Sequence, residues 1–277
     1  MKRVSTYKIK IVAYVTIILI CFVVFFSPHL NAQDSLPKKE LPKYNFHQYK
    51  TEYFKFFATP AHWSLSDWLI CGTVIGGTVA LTQADNQVRN QFLRYPQYAH
   101  SLPVDIGNQW GGFFTYPALI LGFGISGYVG DHPKSKKVCY ELIESLLTTE
   151  TVSLTLKGVT GRSRPFTERG PFSYKPFTIL NSPYNSFPAG HVDAAICMST
   201  IFARNSESGL LKVVFYLPTV LTAASRIYSD RHWASDVFFG AAIGYFGATW
   251  VVNNDEKKDS RIQMSSIYPL SFKIGLN

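Results

Sequence analysis

From Ile106 to Gly130 the chain runs without a single Asp, Glu, Lys or Arg. A stretch of that length and composition has two stable fates. It crosses a bilayer, for which roughly 17–25 predominantly apolar residues suffice, or it lies inside a bundle of helices. Apolar residues recur at helical spacing in further segments, so the sequence predicts helices at about 66–82, 103–129, 136–157, 189–204, 210–225 and 232–252. Ser66 is the expected cap of the first of these. The fold class that follows is all-α, a bundle of about six core helices.

The segments at 68–84 and 106–130 are long and apolar enough to span a membrane, whereas 190–204 and 210–225 are short. The segment at 136–157 alternates Val138, Leu142, Leu146 and Val152 with Glu141, Glu144 and Glu150, which predicts an amphipathic helix with its acids in solvent. On this count the sequence favours a soluble or peripherally bound bundle over a six-span membrane protein.

The ends of the chain differ from its body. Lys2, Arg3, Lys8 and Lys10 precede a charge-free apolar run from Ile11 to Phe26, and Ala32 follows Ser27 and Pro28. This pattern predicts a signal peptide over 1–32, with an uncleaved membrane anchor as the alternative, and so an exported protein, periplasmic or membrane-associated. Residues 33–63 form an aromatic and basic lead-in, in which Tyr44, Phe46, Tyr49, Tyr53, Phe54, Phe56 and Phe57 are interleaved with Lys43, Lys50 and Lys55. That segment fits either an interfacial amphipathic helix or a helix packing its rings on the body. The main domain is expected at 64–252 and a tail at 253–277.

The net charge of +9 suits an anionic substrate or a membrane surface. It forms no basic stripe with interleaved aromatics, so nucleic acid is not an expected partner. Cys71, Cys139 and Cys197 lie in apolar surroundings without metal-ligand spacing, so they are expected to be small buried hydrophobes, and no metal site is implied.

Three short stretches concentrate the polar chemistry. In the first, Lys157 and Arg164 are seven residues apart, and Pro165 follows. A lysine point charge and an arginine fork make a common pair for phosphate, although a basic helix end is the plainer reading. In the second, Pro188-Ala189-Gly190-His191 precedes an apolar run, which predicts a helix N-terminus with outward N–H groups that favour an anion. In the third, Ser225-Arg226 is followed by His232 and Asp236 at i, i+4. There the carboxylate could hold one imidazole nitrogen and leave the other free to attack. Arg162, between Lys157 and Arg164, is expected to face outward, with a part in phosphate binding as the alternative.

In this order the stretches resemble the signature of the type 2 phosphatidic acid phosphatase superfamily, which includes bacterial acid phosphatases and vanadium haloperoxidases. The pattern is K-x6-RP, then PSGH, then SR-x5-H-x3-D. Lys157, Arg164, Pro165, Pro188, Gly190, His191, Ser225, Arg226, His232 and Asp236 match it, and Ala189 stands where the family has Ser. The resemblance implies a metal-independent phosphatase without a cofactor, hydrolysing phosphomonoesters or pyrophosphates of a lipid-linked substrate.

By matched position, His232 is the nucleophile that forms a phosphohistidine, Asp236 its support and His191 the acid and base. Lys157, Arg164 and Arg226 are the phosphate-binding cations, joined by the backbone at Ala189 and Gly190, where the N–H groups of 189–191 stay available despite the missing serine hydroxyl. A vanadate-dependent haloperoxidase and a non-catalytic anion- or lipid-binding bundle are the rival readings.

Overall fold

The protein is described from a computed structural model, over residues 44–178 and 181–259. The signal-peptide reading, the start of the lead-in and the last part of the tail lie outside the described residues. Within them the chain is helical. The elements are α1 (Phe46–Ala58), α2 (Leu65–Leu93), α3 (Leu102–Trp110), α4 (Thr115–Gly124), α5 (Pro133–Thr160), α6 (Gly190–Arg204), α7 (Gly209–Val214), α8 (Leu217–Tyr228) and α9 (Ala234–Asp259).

Helix α9 packs against α6, α2 and α5, while α3 packs against α8. Trp110, Tyr116, Phe123, Leu142, Met198 and Phe202 fill the main core between these helices. Leaving such side chains in water would cost about 1.5–3 kcal/mol each, so their burial fixes how the helices stack.

Helix α2 departs most from expectation. It is capped by Ser64 and not Ser66: the Ser64 hydroxyl accepts from the Asp67 N–H, and the Asp67 carboxylate returns the bond to the Ser64 N–H. This reciprocal pairing satisfies two of the free donors at a helix start. The helix also continues past Thr82 to Leu93. The stretch Gln83–Arg89 is polar but holds no Gly or Pro, so nothing there stops a helix. The extension carries Asp85 and Arg89 into the interior.

Other boundaries moved for local reasons. The charge-free segment is two helices, α3 and α4, broken at Gly111-Gly112 and meeting at 59°, with a π-turn over Ile125–Val129. Pro218 separates α7 from α8, since proline suits the first turn of a new helix better than the interior of an old one. Helix α1 packs part of its aromatic set on the body. Tyr49 stacks on Tyr140 of α5 and Phe56 on Trp250 of α9, while Phe46, Phe54 and Phe57 stay exposed.

The surface argues for a bilayer. Leu65–Leu93, Gly209–Tyr228 and Ala234–Glu256 are each long and apolar enough to cross a membrane, and the bent pair α3–α4 makes a fourth candidate. Only 11% of the apolar window of α2 is buried, and Leu69 and Val79 are exposed. An exposed apolar face of that size is unfavourable in water. The balance therefore shifts from the soluble or peripheral bundle expected above towards a membrane-associated one.

The amphipathic reading of α5 is corrected. Glu141 and Glu144 are buried, at 0% and 1% exposure, beside Asp255 of α9. The polar side chain that faces Glu144 is the Tyr140 hydroxyl. Burial first, and then the Asp255 charge, raises the Glu144 carboxyl from 4.5 to about 8.

The consequence is a stability that falls as pH rises. Above pH 4.5 the unfolded chain gives up this proton, whereas the folded chain keeps it until about pH 8. Glu144→Gln is therefore expected to raise the thermal midpoint by roughly 5 °C or more at pH 8 and by much less at pH 5. Melting curves in detergent across that range check it, and a pH-independent gap would contradict the assignment.

Candidate active site

Helix α5 delivers Lys157 in its last turn and stops at Gly161, whose φ is +54°. A β-carbon at Gly161 would collide with the Lys175 carbonyl oxygen, so the position needs glycine twice over. Arg164 leaves the helix with the loop that follows, so the seven-residue spacing does not put it on one helical face with Lys157. The Lys157 Nζ donates to the Pro188 carbonyl. A β-carbon on Gly190 would lie 3.5 Å from that Nζ, which sets the lysine over the start of α6.

Helix α6 begins at Gly190 with no side-chain cap. The Ala189 N–H, expected to be available, donates to the Asp236 carbonyl at 3.1 Å. The Ala189 methyl is fully buried with Val192, Ile227 and Val237. Among the described residues no acceptor takes the N–H of Gly190 or His191. Those two donors remain for an anion at the helix start.

The third segment folds back on itself. The Arg226 carbonyl accepts from the N–H groups of Arg231 and His232 at 3.1 and 3.4 Å, so six residues of separation close into a tight return. Arg226 and His232 thereby come to one place, at 8% and 4% exposure.

Glu150, Asp193 and Asp236 act on Lys157, and Asp236 on Arg164, but none of these acids comes within salt-bridge distance. Among the described residues, Lys157, Arg164 and Arg226 form no ion pair. The Arg164 Nε is buried without any hydrogen-bond partner, and the one bond of the Arg226 guanidinium is a long 3.4 Å contact to Ser225. Burial and the Arg231 charge hold Arg164 below its usual range. Buried charges are normally paired, so a cluster like this is built around an anion.

Both imidazoles feel that cluster. Burial, then Arg226, Arg164 and Lys157, lowers His191 from 6.5 to about 4. Burial, then Arg164, Lys157 and His191, takes His232 well below 6.5. The structure thus brings together Lys157, Arg164, Arg226, His191 and His232.

Asp236 stands differently from expectation. Its Oδ2 is 3.9 Å from the His232 Nδ1, too far for a hydrogen bond. The Nδ1 lies 2.7 Å from the Ser186 carbonyl oxygen instead. A carbonyl only accepts, so Nδ1 carries the proton and Nε2 holds the free lone pair. The Asp236 carboxylate accepts from the Ser186 hydroxyl at 2.5 Å, the Trp233 N–H at 2.9 Å and Arg162 at 2.5 Å. It braces the residue that braces the histidine.

Arg162 is therefore not the outward-facing residue expected; it is 1% exposed. Sequence reasoning also missed Ser186, Asp85 and Ser235. A signal existed for Ser186 in its place just ahead of Phe187-Pro188. For Asp85 the signal was the helix-compatible polar run after Thr82.

Residues 139–259 match the family model described as PAP2 superfamily. This segment belongs to the PAP2 superfamily. The match covers α5, α6 and the return into α9, and so takes in each of the three polar stretches of the PAP2 segment. Over 62 residues the chain is 44% identical to a lipid A 1-phosphatase of Porphyromonas gingivalis, an alignment that spans 22% of this chain and 14% of that relative. A crystal structure of Aquifex aeolicus LpxE aligns with 63% of this chain and 93% of its own, at 19% identity and a TM-score of 0.39.

Proposed function

We propose that the protein is a metal-independent phosphatase that removes phosphate from a lipid-linked substrate at a membrane surface. The observation that carries this is the cluster of three cations, Arg226 buried and Lys157 and Arg164 half-buried, which form no salt bridge among the described residues and surround two imidazoles of depressed pKa. PAP2 membership, the relative named as a lipid A 1-phosphatase and the exposed apolar helices support the lipid part. The exported amino-terminal pattern supports an active site outside the cytoplasm.

The placement of these residues supports the following steps. The His232 Nε2 lone pair attacks phosphorus, and the bond from phosphorus to the ester oxygen breaks. His191, protonated in the complex, gives its proton to the leaving oxygen. Water then attacks the phosphohistidine, losing a proton to His191, and the P–N bond breaks to release phosphate and neutral His232. Lys157, Arg164 and Arg226, with the free N–H groups of Gly190 and His191, stabilise the equatorial oxygens as charge builds on them.

Phosphate release from a panel of lipid and soluble phosphates, with EDTA present and protein drawn from membrane and soluble fractions, tests this reading. Release from lipid phosphates by the membrane fraction is the expected result. Bromination that requires vanadate and peroxide, with no phosphate released, would overturn it in favour of a haloperoxidase. Anion binding without turnover would favour the non-catalytic bundle.

A further inference from the structure

The hydrogen bonds around Arg162 form a system that the reaction steps above do not use. Its Nη1 donates to Asp236 at 2.5 Å and to the Ser235 hydroxyl at 2.7 Å. Its Nη2 donates to Asp85 of α2 at 2.8 Å, and its Nε to the Pro171 carbonyl at 2.8 Å. The guanidinium lies 5.8 Å from the Trp233 ring centre and 5.9 Å from that of Tyr174. Asp85 and Asp236 are both fully buried. Asp85 also accepts from the Ser235 N–H at 2.9 Å and hydroxyl at 2.6 Å.

The main chain of the same residue reaches the nucleophile by another route. The Arg162 carbonyl accepts from the Ser186 N–H at 3.1 Å. Ser186 turns its carbonyl to His232 and its hydroxyl to Asp236.

We propose that Arg162 is the positioning residue of the phosphoryl-transfer site. Its side chain holds Asp236 and Asp85 together, and its carbonyl holds Ser186, so a single residue sets both groups that brace His232. The inference rests on the phosphatase reading. Only a planar fork with several fixed donors can serve two carboxylates and a carbonyl at once; an ammonium at the end of a flexible stem cannot.

Charge gives the inference a distinctive test. Removing the guanidinium leaves two buried carboxylates, Asp85 and Asp236, with no cation between them. Without that counter-charge the second carboxylate favours a proton on Asp236. The other charged groups acting on Asp236 are Lys157 and Arg164, with the His232 ring 3.9 Å away. Tyr174 faces the guanidinium itself. A proton on Asp236 would weaken the brace on Ser186 and His232, and activity would then depend on losing it.

Steady-state kinetics against pH, with a soluble phosphomonoester in detergent, should be measured for the wild type, Arg162→Met, Asp85→Asn and the double variant. Arg162→Met is expected to lower kcat by about 10²-fold or more, with KM and inhibition by inorganic phosphate changed less than about threefold. Its rate optimum should move to higher pH. Adding Asp85→Asn removes the competing carboxylate, and should restore at least about tenfold in kcat and return the optimum towards that of the wild type.

A double variant no better than Arg162→Met, or an Arg162→Met profile with an unchanged optimum, overturns the proposal. So does a kcat within threefold of the wild type. If Arg162→Met does not fold, Arg162→Lys carries the test, because it keeps the charge and loses the fork. A loss of kcat of about tenfold or more at unchanged phosphate inhibition supports the proposal, and full activity overturns it. A wild type that releases no phosphate would overturn the phosphatase reading, and this inference with it. An active wild type with indifferent Arg162 variants overturns the inference alone.

Discussion

His232→Ala is expected to lower phosphate release by about 10⁴-fold or more on every substrate, because it removes the only bond-forming atom in the site. Binding should survive. Lys157, Arg164 and Arg226 are untouched, so inhibition by inorganic phosphate or vanadate should stay within about threefold of the wild type. Rapid acid quench after a labelled phosphate ester should trap a phosphoprotein in the wild type and none in the variant.

The pH dependence follows from how the ring is held. A nucleophilic imidazole must be neutral, and His232 sits well below 6.5 through burial and the Arg164, Lys157 and His191 charges. The rising limb of the rate profile is therefore expected well below pH 6.5. A rising limb centred at the ordinary histidine value would mean that His232 is not the group that attacks.

His191→Ala should separate substrates by their leaving groups. With an alkyl phosphate, whose oxygen must be protonated as it leaves, kcat should fall by about 10²–10⁴-fold. With a nitrophenyl phosphate, a good leaving group without help, the loss in the first step should be about tenfold or less. Equal losses on both would remove His191 from the role of acid.

The same residue sets the falling limb. In the empty site His191 titrates at about 4, depressed by burial and then by Arg226, Arg164 and Lys157. A bound phosphate dianion opposes those three charges and raises the value. The kcat profile, which reports the complex, should therefore fall at a higher pH than the free-enzyme value of about 4 would allow. With a nitrophenyl ester, the falling limb should vanish in the variant; its persistence would assign the limb to another group.

The arrangement of the site explains why part of it was open to sequence reasoning and part was not. Lys157, Arg164, Gly190, His191, Arg226 and His232 lie in three short stretches whose residue types suit phosphate chemistry by themselves, and the structure brings these stretches together. The contact between Asp236 and His232 was not legible. An i, i+4 spacing allows a meeting, but Ser186, forty-six residues upstream of the histidine, occupies the ring nitrogen first. Asp85 was lost when the first helix was ended at Thr82, although no residue there breaks a helix.

Burial misled in the same way. Glu141, Glu144 and Arg162 are charged side chains that periodicity assigns to solvent. All three are interior, because α9, α6 and α2 cover faces that one helix cannot know will be covered. What the sequence by itself determined is local: the helical periods, the helix start at Gly190, and which residue types are available for phosphate chemistry. What only the tertiary structure decided is which charges lose their water and which partner each then finds. Desolvation and hydrogen bonding depend on neighbours far along the chain, so the pairing of Arg162 with Asp85 and Asp236, and of His232 with Ser186, exists only once the helices have packed.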